Sequence, residues 1–245
     1  MGISAIVQAG LTKTRIEALT DGIFATVMTV LVLGLSLPPT IPSEQLEGEI
    51  LKLSPHILAY AFSFVVLGIY WIGHHNQFHY VKRTDRVFLW VNIFFLLTIG
   101  FVPFSTSVLG EYPFSPTAVR VYGANLAATG LALYAVWWYA TSQYRLVEKD
   151  LDPHIVSLAT RRTLIGPAVS LAGIGFSYLD TRISLVLYLL LIHSLSGQAT
   201  LTFISGEALT TNLQGVATSQ RQAVASAQAH LPRSIPRQPS LVRIL

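Results

Sequence analysis

The chain has 245 residues, of which 52% are hydrophobic and only 11% charged, whereas a soluble domain carries about 25% charged residues. The net charge is +4 and there is no cysteine, so disulfides, Cys–metal sites and thiol chemistry are excluded. This balance fits an all-α, polytopic membrane protein rather than a soluble enzyme, and neither a Gly-rich phosphate loop after a strand nor a nucleophile motif interrupts the apolar runs.

In chain order, residues 1–14 form a short amino-terminal arm. The first span, 15–37, opens with Arg15, Glu17 and Asp21 and then runs uncharged from Gly22 to Leu37, where Pro38-Pro39 ends it. With the preceding turn or two it is long enough for a hydrocarbon layer of about 30 Å at about 1.5 Å per residue. A loop over 38–53 holds Glu44, Glu47 and Glu49 and has room for one or two interfacial helical turns. Ser54-Pro55 is a helix start, a cap followed by proline in the first turn. The second span, 55–79, ends in the polar cluster His74, His75, Asn76, Gln77 and His79.

A basic turn, Lys82 to Arg86, leads to a third span over 87–109, which Pro103 is expected to kink. A fourth span covers 117–141 and ends in Trp137, Trp138 and Tyr139, an expected interfacial belt. Residues 142–162 read as a charged loop. The fifth span, 163–179, contains Gly166-Pro167, Gly173 and Gly175, which suit close packing, and the sixth covers 183–205. The resulting division is an arm (1–14), a six-helix transmembrane domain (15–205) and a partly disordered tail (206–245) rich in Gln, Ala and Ser and then in Pro and Arg. With the amino terminus in the cytoplasm, only Lys52, Arg120 and Arg182 of the sixteen basic residues fall outside. The positive-inside rule therefore places both ends in the cytoplasm of a multi-pass protein of the cell membrane.

Ionisable groups at the start of a membrane helix point to function. A helix turns about 100° per residue, so Ile23, Val27 and Val30 share one aliphatic stripe while Asp21 lies on the opposite side. Two readings fit that pattern. The stripe faces lipid, or copies of the helix surround an axis and the stripe becomes a pore wall with the charges behind it. An unpaired charge at membrane depth costs several kcal/mol, so Arg15 and Asp21 need partners. Trp71 and His75, one turn apart on the second span, and Asn92, about two turns into the third, are the candidates for a polar network holding the first helix. The alternative is that these groups cap helix ends at the headgroups.

Residues 15–25, RIEALTDGIFA, resemble the R-x-x-x-F-S-D-G-[VI]-F-A signature that opens the first helix of the transmembrane protein 175 family of lysosomal and prokaryotic potassium channels. The resemblance continues in WIGHHNQF (71–78), in Asp85 and Arg86, and in WVNIFFL with VPFST (90–96 and 102–106). Leu19 and Thr20 stand where the signature has Phe and Ser. The resemblance implies a potassium-selective cation channel that is a homotetramer of six-span chains around four first helices. No TVGYG filter occurs here, and no cofactor, metal or nucleic acid is implied beyond the bilayer and permeant K+. It further implies that Ile23 forms the narrowest ring, with Val27 and Val30 as the following rings and Thr26 adding hydroxyls. Aliphatic rings would select by desolvation or close by dewetting. Two other classes remain open on the residues alone. One is a proton leak or transporter working through the His/Asp/Arg cluster. The other is a non-conducting scaffold whose Arg233, Arg237 and Arg243 touch anionic lipid.

Overall fold

In a computed structural model that describes residues 12–37 and 40–190, the ordered elements are helical throughout. They are α1 (Lys13–Val30), continued by a 3-10 turn (Leu31–Gly34); α2 (Leu46–Lys52), preceded by a 3-10 turn (Ser43–Gln45); α3 (Ser54–Tyr80); α4 (Arg86–Gly100); α5 (Val102–Glu111); α6 (Pro116–Thr141); α7 (Pro153–Phe176); and α8 (Thr181–Leu190). All the described residues belong to one compact unit, Met1–Ala199. Among them, three helical segments are long and apolar enough to cross a membrane: Lys13–Gly34, Ser54–Tyr80 and Arg86–Glu111. α6 and α7 have 26 and 24 residues, the length of a span with a more mixed composition.

Each helix begins where its sequence permits. Asp85 caps α4 by accepting from Phe88 N at 2.8 Å, and Asp152 caps α7 by accepting from His154 N at 2.8 Å. Proline occupies the first turn of α3, α5, α6 and α7, where its missing N–H has no partner to lose. The third span breaks at Phe101, two residues before Pro103, and the chain resumes as α5. α7 differs from the sequence expectation. It starts at Pro153 rather than 163, because the Asp152 cap and Pro153 nucleate a helix that absorbs ten residues of the expected loop, and it passes through Pro167 unbroken. Only the start of the sixth span is described, as α8. The tail lies outside the described residues.

α6 is the centre of the bundle, with buried residues along its whole length from Ala118 to Ala140. Gly130 lets α7 approach: a Cβ there would lie 2.5 Å from Pro167 Cδ. Such small-residue contacts substitute for the hydrophobic drive that lipid cannot supply between helices. Several buried hydroxyls are paired inside the bundle: Ser63 Oγ lies 2.9 Å from Tyr122 OH and accepts from Thr106 Oγ1 at 2.7 Å, while Tyr70 OH donates to Leu126 O at 2.8 Å.

The expected aromatic belt at the end of α6 is divided by its packing. Trp138 is exposed, but Trp137 is fully buried and donates to Thr160 Oγ1 at 3.2 Å, and Tyr139 OH donates to Asp85 Oδ2 at 2.9 Å. Past α6, Gln143 and Tyr144 adopt left-handed backbone angles (φ 54° and 53°), a conformation that costs non-glycine residues about 1–3 kcal/mol each. The turn they make buries Leu146 and Val147 and presents the Leu146 carbonyl to Lys82 N (2.8 Å) and Arg83 N (3.2 Å). This loop is thereby fixed against the basic turn between α3 and α4.

Candidate permeation face and its supporting network

α1 has a buried side and a free side. Ile16, Thr20, Phe24, Val27 and Leu31 are buried, a spacing of three and four residues that makes one continuous seam. Phe24 meets Phe95 of α4 with ring centroids 6.1 Å apart. The opposite side carries Gly22, Thr26, Thr29, Val30 and Leu33, all exposed, with Leu33 at 73%. Thr26 Oγ1 donates to Gly22 O at 2.8 Å, and Thr29 Oγ1 donates to Thr26 O at 2.7 Å. Each hydroxyl proton is thus turned back onto the helix, which leaves oxygen lone pairs directed away from it.

Within the protomer the members of the aliphatic stripe are placed differently from one another. Val27 is only 7% exposed and belongs to the hydrophobic core, and Ile23 is partly buried against that core. Val30 and Thr26 lie on the free side. The free side is rotated by about a quarter turn from the stripe marked by Ile23, Val27 and Val30. Thr29 and Leu33 escaped the sequence reading. The signal for them was present in Gly22, Thr26, Thr29 and Leu33, spaced four, three and four, with the two polar residues on the face that does not hold Phe24.

Two adjacent residues of α1 tie it to the bundle. Asp21 Oδ1 accepts from Trp71 Nε1 at 2.8 Å. Thr20 Oγ1 accepts from Asn92 Nδ2 at 3.3 Å, and Asn92 Oδ1 lies 2.9 Å from His74 Nε2. Asn92 and Thr20 are at most 1% exposed and His74 is 3% exposed. The His74 ring is stacked between Phe78 and Phe95. The histidine in this network is therefore His74, not His75, because the buried seam of α3 passes through Leu67, Tyr70, His74 and Phe78 and turns residues 71 and 75 outward. His75 instead stacks on Trp71 with centroids 5.8 Å apart, supporting the ring that holds Asp21. Arg15 stands outside the network: it is exposed, and its side chain makes no hydrogen bond or ion pair with another described residue. The one ion pair near it joins Lys13 to Glu17 at 3.6 Å, one turn apart on α1.

The described residues form a bundle of apolar helices, three of its segments long enough to cross a membrane, with the first helix moored by polar groups: the architecture of an integral membrane protein. The family model for the endosomal/lysosomal potassium channel TMEM175 matches residues 15–103. A potassium channel of Chamaesiphon minutus is 33% identical over 185 residues, covering 73% of this chain and 91% of the relative. The crystal structure of a lysosomal potassium-selective channel TMEM175 homolog from the same organism superposes with a TM-score of 0.68 at 29% identity, covering 76% of this chain and 97% of that one. The endosomal/lysosomal proton channel TMEM175 of Gallus gallus is 36% identical over 110 residues, 42% of this chain and 22% of the relative. The chain belongs to the TMEM175 family, a family of ion channels and not of enzymes.

Proposed function

We propose that the protein is a potassium-selective channel of the cell membrane, a homotetramer of six-span chains with both ends in the cytoplasm, in which four copies of α1 surround the ion path. The supporting observation is the uncovered side of α1, where Thr26 and Thr29 offer hydroxyl oxygens and Val30 and Leu33 offer aliphatic bulk. Four copies of such a face make alternating rings. The hydroxyl rings substitute for part of an ion's hydration shell, and the aliphatic rings force partial dehydration or close by dewetting. Potassium sheds water more cheaply than sodium, so the same rings favour it. Ile23 sits at the flank of the path, and Val27 acts from behind by fixing the helix. Arg15, on the free side at the start of α1, faces a neighbouring copy or the cytoplasmic mouth.

Liposomes with an imposed potassium gradient test this reading. Leu33→Asn is expected to raise potassium flux several-fold and to lower discrimination against sodium, with the protein still assembled. Wild-type protein that assembles but passes no potassium contradicts it.

The proton-channel relatives support a second reading, in which the exposed Asp21–Trp71–His75 group carries protons. That reading expects a pH-gradient-driven flux that Asp21→Asn abolishes and Leu33→Asn leaves unchanged.

A further inference from the structure

The backbone ladder of the third span is opened near Phe101 and spliced by a side chain from another helix. Pro103 has no N–H to give to Ile99 O. Phe101 N still reaches Leu97 O at 3.2 Å, and Ser105 N reaches Phe101 O at 3.2 Å. Between them, Thr98 O and Val102 N are the pair that an unbroken helix joins. Here both meet Asn125 of α6: its Nδ2 donates to Thr98 O at 3.1 Å and its Oδ1 accepts from Val102 N at 3.3 Å. The opposite amide orientation would set donor against donor and acceptor against acceptor. Ser105 Oγ lies 2.9 Å from the same Oδ1. Thr98, Val102, Ser105 and Asn125 are all buried. A side chain inserted into a helix ladder is one of the few causes of a sharp kink.

α5, the piece beyond the break, is tied to α6 at a second point. Thr106 Oγ1 donates to Ser63 Oγ, and Ser63 Oγ lies 2.9 Å from Tyr122 OH, about one turn of α6 before Asn125. α5 also borders α1. Its Pro103, Thr106 and Ser107 share the wall of a cavity of about 270 Å³ with Leu31, Gly34 and Leu35. The other flank is His56 and Tyr60 of α3, a helix unbroken from Ser54 to Tyr80, so α5 is the flank that a kink can move. That end of α1 has little else to lean on. The polar ties of α1 to the bundle lie at Thr20 and Asp21, the hydroxyls of Thr26 and Thr29 bond within α1, and of the turn Leu31–Gly34 only Leu31 is buried.

We propose that Asn125 is a positioning residue for conduction: its amide, spliced into the break, fixes the angle of α5, and α5 fixes the Gly34 end of α1, with Val30 and Leu33, against the ion path. Pro103 opens the ladder and Asn125 sets how far it opens. Without the amide, two buried backbone groups lose their partners, and the ladder closes on itself as far as Pro103 allows, swinging α5. The inference rests on the pore reading above, since only there does the placement of Val30 and Leu33 govern permeation.

Full-length wild type is compared with Asn125→Leu, Asn125→Leu/Pro103→Ala and Thr129→Val by single-channel recording and by thermal unfolding in detergent. Leucine has nearly the shape of asparagine without its polar atoms. Thr129→Val is the control for stability alone: it removes a buried hydrogen bond, Thr129 Oγ1 to Asn125 O at 2.8 Å, and leaves the splice intact. The expected result for Asn125→Leu is a potassium/sodium ratio changed about threefold or more, with a lowered melting temperature. In the double variant residue 103 regains an N–H and the helix completes its own ladder, so the melting temperature recovers while the changed ratio remains. Thr129→Val lowers the melting temperature and keeps the wild-type ratio. An Asn125→Leu channel with the wild-type ratio overturns the role. So does a Thr129→Val channel whose ratio shifts as far as that of Asn125→Leu, because lost stability then accounts for both. Where Asn125→Leu gives no assembled protein, the double variant decides, and a wild-type ratio there overturns the role. Each of these results leaves the channel reading in place. A wild type that assembles and passes no potassium overturns both.

Discussion

At the scale of single residues, neighbours on α1 are asked to do opposite things. Val27 is 7% exposed inside its own protomer, whereas Leu33 is 73% exposed. Val27→Ala therefore removes packing, at a cost of about 1–2 kcal/mol, and is expected to lower the thermal stability of the detergent-solubilised protein while leaving the potassium/sodium ratio unchanged. Thr29→Val keeps the shape but deletes the outward oxygen. It is expected to reduce potassium selectivity in liposome flux with little change in melting temperature. A large fall in stability for Thr29→Val would place that side chain in the core and contradict the assignment. Asn92→Ala breaks the buried chain from Thr20 to His74 and leaves two polar groups unpaired, a loss of about 1–3 kcal/mol. Its expected signature is loss of assembled protein on size exclusion, not altered permeability.

At the scale of elements, the account depends on how closely helices approach. Gly130 sits where Pro167 crosses, and Gly123 and Gly173 both face the Tyr188 ring. Gly130→Ala has no room for its methyl group and is expected to separate α6 from α7, lowering stability by about 1–3 kcal/mol. A melting temperature within a degree of wild type would contradict so close a crossing. Much at this scale was legible in the sequence. Ser54-Pro55 announced the start of α3, and Pro103 announced the break near Phe101. The start of α7 was misplaced because Arg161 and Arg162 read as loop, although Asp152-Pro153 carries the stronger signal. Which aliphatic residues of α1 pack inside the protomer was not legible for a related reason. In an apolar helix Ile, Val and Leu look alike, and only contact with Phe95 and the α3 seam decides which of them turn inward. The mooring residues Asp21, Trp71 and Asn92 were legible because polar groups at membrane depth must find partners. The choice between His74 and His75 was not, since it depends on one step of helical phase set by Phe78 and Phe95.

At the scale of the whole molecule, the described bundle covers its own core but leaves one side of its first helix bare. That face joins the hydroxyls of Thr26 and Thr29 to the aliphatic side chains of Val30 and Leu33. In the proposed tetramer four such faces surround the ion path. The sequence contains no cysteine, so single cysteines can be introduced one at a time without background. The most direct measurement is block of potassium flux by a small cationic thiol reagent in Thr29→Cys, Leu33→Cys and Val27→Cys channels. The account predicts rapid block at positions 29 and 33 and none at 27. Block at 27 with none at 29 and 33 would contradict it.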